Sequence, residues 1–280
     1  MAKNEPEMVE REAGIPPQAP DPTTGVTVYR PQHVALAPLE GISEKAAAFE
    51  EALGGDALTM GLFDIVKTPT GGGKFWAVPD GMNPVAEIEG VIILRQRIRA
   101  YWAEKFGVGG KAPSCSSPDT KTGYGDRGMG EEDGTVHDCG SCPWAQFGTG
   151  RNEAGELTNG QACRVINRIF MLPNGGDSIL PTIISLAPTS DAAVRGHFVG
   201  RLGARGVKPW TETTKVGLVQ EQKGGYTVST AKFARGERLS AGDAAQVEAY
   251  RESIMPHLEA LAGRMLAGRM LEGEVADDGR

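Results

Sequence analysis

Four cysteines constrain this chain more than any other feature of its sequence. They are spaced C-x23-C-x2-C-x20-C within residues 107–163, a glycine-rich stretch with little hydrophobic periodicity: Cys115, Cys139, Cys142 and Cys163. Thiolates two residues apart can bind one metal ion, and two further thiolates complete a tetrahedron around Zn²⁺. The spacing therefore predicts that Zn²⁺ orders a loop-built insertion that has no core of its own.

The number of sulfurs indicates what such a metal would do. Four thiolates leave no open position for water, so the predicted metal supports folding and not catalysis. Other interpretations stay open. Cys139 and Cys142 could be a redox pair, the cysteines could be free thiols, and His137 could replace one sulfur as a ligand.

The N-terminal sequence and the hydropathy pattern bear on location. MAKNEPEMVEREAG carries acids where a secretory signal would carry a basic flank and an apolar segment, which predicts a cytoplasmic protein. Disulfides are disfavoured in that compartment. No apolar run approaches the roughly 20 residues of a membrane-spanning helix, so we expect no membrane partner.

The net charge of −7 is unevenly distributed along the 280 residues. Residues 1–60 carry 4 basic and 10 acidic side chains, and residues 236–280 carry 5 basic and 9 acidic ones. Residues 61–235 therefore carry 20 basic and 17 acidic side chains. A mildly basic centre between acidic ends is compatible with nucleic acid as a partner of the centre. Acidic ends that only keep the protein soluble are the alternative.

The chain divides into four parts. Six prolines in the first 32 residues predict a disordered arm over 1–32. A domain follows over 33–235, with the cysteine insertion at about 107–165. Residues 236–271 form a C-terminal helical segment in which Pro256 should cause a kink or a break, and 272–280 is an acidic tail.

Hydrophobic periodicity predicts the elements of the domain. A helix begins at Ser43 and stops at Gly54, and strands are predicted for LTMGLFDIVKT, KFWAVPD, PVAEIEGVIILRQRIRAYW, RVINRIFML and SILPTIISLA. A helix capped by Thr189 or Ser190 runs to about Leu202, and VGLVQEQ and YTVSTAKF form a hairpin. The pattern predicts a mainly β (α+β) fold, a small barrel with helical additions.

Catalytic motifs are not found in the sequence. TPTGGGKFW resembles a phosphate loop, but Thr68 and Phe75 occupy positions that require glycine and Ser or Thr. Asp64, Glu87 and Glu89 could form the metal site of a nuclease, although acids on strands are more often surface residues.

Basic and aromatic residues of the central part form a candidate binding surface. Arg95, Arg97 and Arg99 alternate along one predicted strand and so share one face. Guanidinium groups for phosphates and rings for base stacking are what single-stranded nucleic acid requires. The candidate DNA-binding residues are Lys74, Phe75, Trp76, Arg95, Arg97, Arg99, Tyr101, Trp102, Trp144, Arg164 and Arg168. The alternative is a solvated strand face with these rings in the core.

The same residues carry a resemblance to a known group of proteins. The order GVIILRQRIRAYW, SCSSPD, DCGSCPWAQFG, GQACRVINRIFML, LPTIISLAPTS and YTVSTAKF, over about residues 60–235, resembles bacteriophage and prophage proteins regarded as single-stranded-DNA-binding proteins. The resemblance implies an OB-like barrel, zinc held by the four cysteines, and the host cytoplasm as location. The acidic end EGEVADDGR is loosely similar to tails that recruit replication partners, but it ends in Gly279-Arg280 without an apolar tip.

Together these observations predict a non-enzymatic, sequence-tolerant single-stranded-DNA-binding protein of phage replication or recombination. Replication or recombination proteins and a second copy of the chain are further candidate partners. A zinc-stabilised protein-interaction module is the alternative, with Leu258, Leu261, Met265 and Leu271 on one face of the last helix. A metal-dependent nuclease is the weaker alternative.

Overall fold

The structure is a computed structural model of the chain. It describes residues 42–56, 58–78, 84–103, 113–127, 129–131, 135–152, 155–173, 179–223 and 225–266. These residues all belong to the second of two compact units, Val34–Arg280; the first, Met1–His33, contains the predicted arm and lies outside the described residues. The acidic tail and the predicted helix end near Leu271 also lie outside them.

A nine-stranded mixed sheet forms the framework of the described residues. The strands are β1 (Ile65–Lys67), β2 (Glu87–Tyr101), β3 (Cys115–Ser117), β4 (Thr122–Gly125), β5 (Val136–Asp138), β8 (Arg164–Pro173), β9 (Thr182–Leu186), β10 (Glu212–Lys223) and β11 (Tyr226–Arg238). Their order in the sheet is β1-β9-β8-β2-β3-β4-β5; in addition, β10 pairs with β2, and β11 pairs with β10. A separate pair consists of β6 (Gly150–Arg151) and β7 (Leu157–Thr158). The mainly β, α+β class predicted from the sequence is confirmed, and the path of the sheet does not close on itself among these strands.

Strand β2 is the centre of this sheet. One of its edges pairs with β8 from Gly90 to Ala100, and the other pairs with β10 near Glu89 and with β3 near Tyr101. The register against β8 shifts between Ile92 and Leu94, which is a β-bulge. A bulge turns the following side chains to the opposite face.

The two faces of the sheet bury separate cores. On one face, α1 (Ile42–Leu53) and α3 (Ala241–Leu266) pack over a cluster that includes Val91, Ile93, Phe170, Tyr250 and Leu258. The other face buries Trp76, Ile92, Ile169, Met171, Val194 and Phe233 beneath a helix over 191–205. Because Ile92 and Ile93 belong to different clusters, both faces of β2 are buried along this stretch and its sequence reads as continuously apolar.

The helix predicted from Ser43 is confirmed, and α3 differs from the prediction at its proline. Helix α3 runs without a break through Pro256. Proline removes one intrahelical hydrogen bond, but Ile254, Leu258 and Leu261 are buried on both sides of it and hold the two halves against the core. Ser240 caps the helix: its Oγ accepts a hydrogen bond from the backbone N–H of Asp243 at 3.1 Å.

The helix after β9 is longer and less regular than predicted. It consists of α2 (Asp191–Arg195), a π-helical stretch (Gly196–Leu202) and a final 3₁₀ turn (Gly203–Arg205). Ser190 occupies the N-cap position without a side-chain cap; its Oγ accepts instead from the backbone N–H of Ala231 at 2.9 Å. This hydrogen bond attaches the start of helix 191–205 to β11.

Two predicted strands are largely wrong and one predicted loop contains strands. LTMGLFDIVKT forms only β1, preceded by a 3₁₀ turn at Met60–Leu62, and the described part of KFWAVPD, residues 74–78, contributes a single bridge between Trp76 and Val85. Within the cysteine insertion, β3, β4 and β5 extend the main sheet. The long strand β2, the strands β8 and β9, and the hairpin β10-β11 are confirmed. Strand β1 pairs with β9 in parallel, which no local pattern indicated.

The close approach of β2 and β8 gives a stability prediction. A Cβ on Gly90 would overlap the backbone carbonyl of Leu172, whereas a Cβ on Gly217 in the neighbouring strand would meet its nearest atom at 3.5 Å. Gly90→Ala should lower the free energy of unfolding by about 1–3 kcal/mol through overpacking. Gly217→Ala is the matched control and should be neutral or slightly stabilising. Urea unfolding measures both, and equal midpoints would contradict this packing.

Candidate metal centre and arginine face

The four cysteines line one cavity, although they come from three segments of the chain. Cys115 begins β3, Cys139 follows β5, Cys142 precedes a 3₁₀ turn, and Cys163 directly precedes β8. Backbone hydrogen bonds fix the segments, from Cys139 N–H to the Lys121 carbonyl at 2.7 Å and from Cys163 N–H to the Trp144 carbonyl at 2.8 Å. All four side chains are buried and none is in a disulfide.

The cavity is small and closed mostly by side chains of the same region. Its other lining residues are Arg99, Tyr101, Ser116, Ser117, Gly123, Arg127, His137, Trp144 and Ala145. The open space at its centre is about 10 Å³, which corresponds to about one water-sized sphere. A single ion is of this size.

The thiols make the cavity unfavourable for negative charge unless a cation is present. Burial, together with the neighbouring Cys139 and Cys142, raises the pKa of Cys115 to about 11. Burial and the other three cysteines, opposed by Arg99, raise the pKa of Cys163 to about 12. Ionisation of one thiol therefore raises the electrostatic cost of ionising the others, and a divalent cation among them would offset that cost.

The donor set fits zinc in chemistry and in packing. Sulfur is a ligand that Zn²⁺ prefers, and Gly123 keeps the space between two sulfurs open, since a Cβ there would lie 3.3 Å from Sγ of both Cys115 and Cys139. In the described ranges, no three His, Cys, Asp or Glu side chains are already placed as a group that could hold an ion. The sulfurs share the cavity, and metal binding would have to draw them closer together.

His137 faces the cavity region but is engaged by protein groups. Its Nε2 lies 2.7 Å from the Gly125 carbonyl oxygen and 3.4 Å from Glu131 Oε2. Both partners are acceptors, so this nitrogen donates and offers no lone pair to a metal. The Arg127 guanidinium is bound to the same Glu131 carboxylate, and that hydrogen bond lowers the pKa of Glu131 to about 2.

Asp138 shapes the C-x2-C turn, a role that the sequence analysis missed. Its carboxylate accepts from the backbone N–H groups of Gly140 at 3.2 Å and Ser141 at 2.9 Å. These bonds close the turn between the two cysteines, and the Ser141 hydroxyl together with the two backbone N–H groups lowers the pKa of Asp138. An acid directly before C-x2-C is a usable signal for such a turn.

The arginines of β2 lie on the face that carries helix 191–205. Arg95 donates from Nη2 to Asn167 Oδ1 at 3.1 Å, and its guanidinium lies 5.3 Å from the centre of the Phe198 ring. Arg97 forms an ion pair with Asp191 at 3.3 Å and keeps 40% of its side chain exposed. Arg99 reaches the Cys163 carbonyl at 3.4 Å from Nη1. The row therefore leads from the helix to the cysteine cavity.

The guanidinium groups of Arg95 and Arg99 are not fully paired within the described part of the protein. Burial lowers the pKa of Arg95, Asp191 opposes this effect, and the charges of Arg97 and Arg195 lower it further. The Nε atoms of Arg95 and Arg99 are buried and have no hydrogen-bond partner among the described residues. Asp191 and Asn167, which share a hydrogen bond at 3.1 Å, organise the row and were not among the predicted residues.

Arg164 and Arg168 do not extend this face. They pair with Ala100 and Gln96 across β2 and β8, one position out of phase with Arg97 and Arg99. Side chains alternate along a strand, so both point to the opposite face of the sheet. Arg168 is buried, and burial lowers the pKa of Arg164.

The aromatic candidates divide into buried and accessible rings. Trp76 is fully buried and donates from Nε1 to the Val216 carbonyl at 2.9 Å, so its ring is a core group. Tyr101 and Trp144 are stacked, with ring centroids 5.5 Å apart and planes 5° apart, and both are partly exposed at the rim of the cavity. Lys74 and Phe75 are exposed beside the glycine turn, and Trp102 is partly buried after β2.

The three acids of the nuclease alternative are not brought together. Glu87 and Glu89 lie on β2, where Lys215 lies 3.3 Å from Glu89 and 3.9 Å from Glu87. Asp64 precedes β1, and β8 and β9 separate β1 from β2. Three strand spacings amount to about 14 Å, which is too far for one metal site.

No protein-family model, curated protein or solved structure matches this chain. In the part of the chain that the structure describes, no helix has the length and apolar character needed to span a bilayer. The site is therefore interpreted from its own geometry and chemistry.

The buried thiols predict how stability responds to pH when metal is chelated. Folding raises the pKa of Cys115 and Cys163 above the ordinary value of 9.0, so the unfolded chain loses these protons first. The protonated, buried thiols contribute fully to the free energy of unfolding below about pH 9, and this contribution should be lost as the pH rises toward about 11 to 12. Urea unfolding in EDTA at about pH 8 and about pH 10.5 measures the fall. It should be smaller in the Cys115→Ser/Cys163→Ser variant, and equal falls would contradict the burial of these thiols.

Proposed function

We propose that this protein binds single-stranded DNA without sequence preference and without catalysis, in phage replication or recombination. One observation carries the proposal: Arg95, Arg97 and Arg99 form a row on one face of β2 that ends at the stacked rings of Tyr101 and Trp144. Cations in a line suit a phosphate backbone, and rings at the end of the line suit unpaired bases.

The exposed arginine of the row and the rings at its end would contribute differently to binding. Arg97 is the exposed member, and its partner Asp191 occupies the place that a phosphate oxygen would take. An incoming phosphate would therefore compete with a carboxylate for the guanidinium. At the other end, Tyr101 and Trp144 offer partly exposed rings to a base, and such stacking contributes roughly 1–3 kcal/mol per base.

The proposal includes Zn²⁺ bound by Cys115, Cys139, Cys142 and Cys163. These residues would hold the ion in a closed site, and the ion would stabilise the fold of the segment without entering a reaction. The segment places Trp144 against Tyr101, since Trp144 lies two residues after Cys142 and donates from Nε1 to the Arg127 carbonyl at 2.8 Å. The metal would support binding indirectly, by ordering one of the two rings.

The fold assignment in this proposal is an OB-like barrel. It is supported by the bulge in β2, since a bulge bends a strand, and by the order of the antiparallel neighbours β3, β8 and β10 around β2. In OB folds a strand face and adjacent loops bind single strands. The arginine row and the cysteine segment would be those two parts.

Zinc binding is tested by metal content and by loss of one ligand. The purified protein should contain one equivalent of zinc, and Cys142→Ser should lower the content and the thermal stability because a three-sulfur site binds more weakly. Ser141→Ala is a control beside the same turn that keeps all sulfurs. Full metal content in Cys142→Ser would contradict the ligand set, and a protein without metal would contradict the zinc proposal.

DNA binding is tested with oligo-dT at several salt concentrations, followed by tryptophan emission. The logarithm of the affinity should fall with the logarithm of salt by about 0.7 per phosphate neutralised, and Arg97→Gln should reduce that slope by about 0.7. Asp191→Asn should act in the opposite direction and tighten binding, since it releases Arg97. No affinity for oligo-dT at low salt would refute the function.

Exposed apolar side chains on the cysteine segment favour a second candidate, a zinc-stabilised protein-interaction module. Phe147 is 79% exposed and Leu157 is 66% exposed. The predicted stripe of α3 gives no such support, since Leu258 and Leu261 are buried in the core of this chain; the side chains of Met265 and Leu271 lie outside the description. This candidate predicts association with a protein partner and indifference to oligo-dT.

A further inference from the structure

Helix 191–205 combines strong positive charge with exposure. From 192 to 205 the helix has three arginines and no acid, and all three arginine side chains are exposed: Arg195, Arg201 and Arg205. Lys208 follows the helix and is paired with Glu248. The only acid in the helix is Asp191, which is held by Arg97 and Asn167. The exposed part of the helix is therefore attractive to an anion of extended form.

The composition of this helix is unfavourable for its own stability. Gly196, Gly200 and Gly203 lie inside it, and glycine is the least favourable helix residue after proline. The stretch Gly196–Leu202 also has π-helical hydrogen bonding, which is rare and occurs frequently at functional sites. Stability alone would favour alanine at Gly196 and Gly200, whereas a Cβ at Gly203 would lie 3.1 Å from the Phe198 carbonyl oxygen. The first two glycines therefore call for another explanation.

The space around two of the glycines supplies that explanation. At Gly196 and Gly200 nothing lies within 4 Å of the position that a Cβ would occupy, and each glycine is the direct neighbour of an arginine, Arg195 or Arg201. The absence of side chains at these points leaves room for another backbone to approach the helix closely. Phosphates at that distance could be contacted by the flanking guanidinium groups.

Buried side chains and a hydrogen bond hold helix 191–205 against the sheet. Val194 and Leu202 are buried, and Arg201 donates from Nη1 to the Phe233 carbonyl at 3.4 Å. The Arg95 guanidinium lies 5.3 Å from the centre of the Phe198 ring of this helix, and the charge of Arg195 contributes to the lowered pKa of Arg95. The helix surface is therefore continuous in charge with the arginine row of β2.

We propose that helix 191–205 binds the sugar-phosphate backbone of single-stranded DNA, with Arg195, Arg201 and Arg205 on the phosphates and Gly196 and Gly200 admitting the strand. This inference rests on the proposed function and assigns the backbone-binding element of the same surface. The strand would run across the helix and continue along Arg97 toward the stacked rings of Tyr101 and Trp144.

Two variants that remove charge test the assignment. Arg195→Gln/Arg205→Gln changes exposed side chains, and Lys45→Gln/Lys232→Gln is a control with the same loss of charge on exposed residues elsewhere. The first should lower the affinity for oligo-dT and reduce the salt slope by about 1.4, two phosphate contacts at about 0.7 each. The control should keep the slope. Equal slopes in both variants would overturn the assignment.

A third variant separates binding from folding. Gly196 has helical backbone angles (φ −58°, ψ −40°) and open space around it, so Gly196→Ala should raise the Tm by a few degrees. The same methyl group should weaken oligo-dT binding by obstructing the strand. A higher Tm with unchanged binding would overturn the role of the glycines, because the variant is then folded and still admits DNA.

The outcomes distinguish this inference from the function on which it rests. If the unmodified protein fails to bind oligo-dT at low salt, the proposed function fails. If it binds and the Arg195→Gln/Arg205→Gln variant binds with the same slope, only the assignment to helix 191–205 fails. Duplex DNA of the same length is tested in parallel, and a variant effect confined to the duplex would overturn the assignment to single strands.

Discussion

The pairing of β2 on both of its edges is the constraint on which the rest of the structure depends. This strand joins β8 to β10 and β3, and so it connects the hydrophobic core, the helix over 191–205 and the cysteine segment. Its first half is buried on both faces, which fixes its position. Its second half emerges toward the cysteine cavity with arginines on one face. A long strand fixed in this way can place charged side chains with little freedom to move.

The bulge between Ile92 and Leu94 decides which face those arginines occupy. Ile93 and Leu94 both pack on the side of α3, and the alternation resumes one residue out of phase. Arg95, Arg97 and Arg99 consequently share the side of Ile92 and helix 191–205. Without the extra residue they would lie on the α3 side, where the core is apolar and charge is costly.

The cysteine cavity depends on the same strand. Tyr101 pairs with Cys115 across β2 and β3, and Arg99 contacts the carbonyl of Cys163 at the start of β8. A rigid edge of the sheet therefore contributes two of the four sulfurs, and the turn closed by Asp138 contributes the other two. The proposed structural metal would join these two halves of the cavity, and metal binding by thiolates can supply on the order of 10 kcal/mol of folding free energy.

The sequence by itself determined the elements whose signal is local. Alternation and apolar runs predicted β2, β8, β9 and the hairpin, capping and glycine signals predicted α1 and the start of α3, and spacing predicted that the four cysteines converge. Only the tertiary structure decided that Trp76 is a core residue, that Arg164 and Arg168 point away from the arginine row, and that Asp191 pairs with Arg97. The reason is that a strand's period fixes which residues share a face, whereas a bulge, a neighbouring strand and a packed helix decide which face is buried. Those contacts join residues far apart in the chain, and no local pattern contains them.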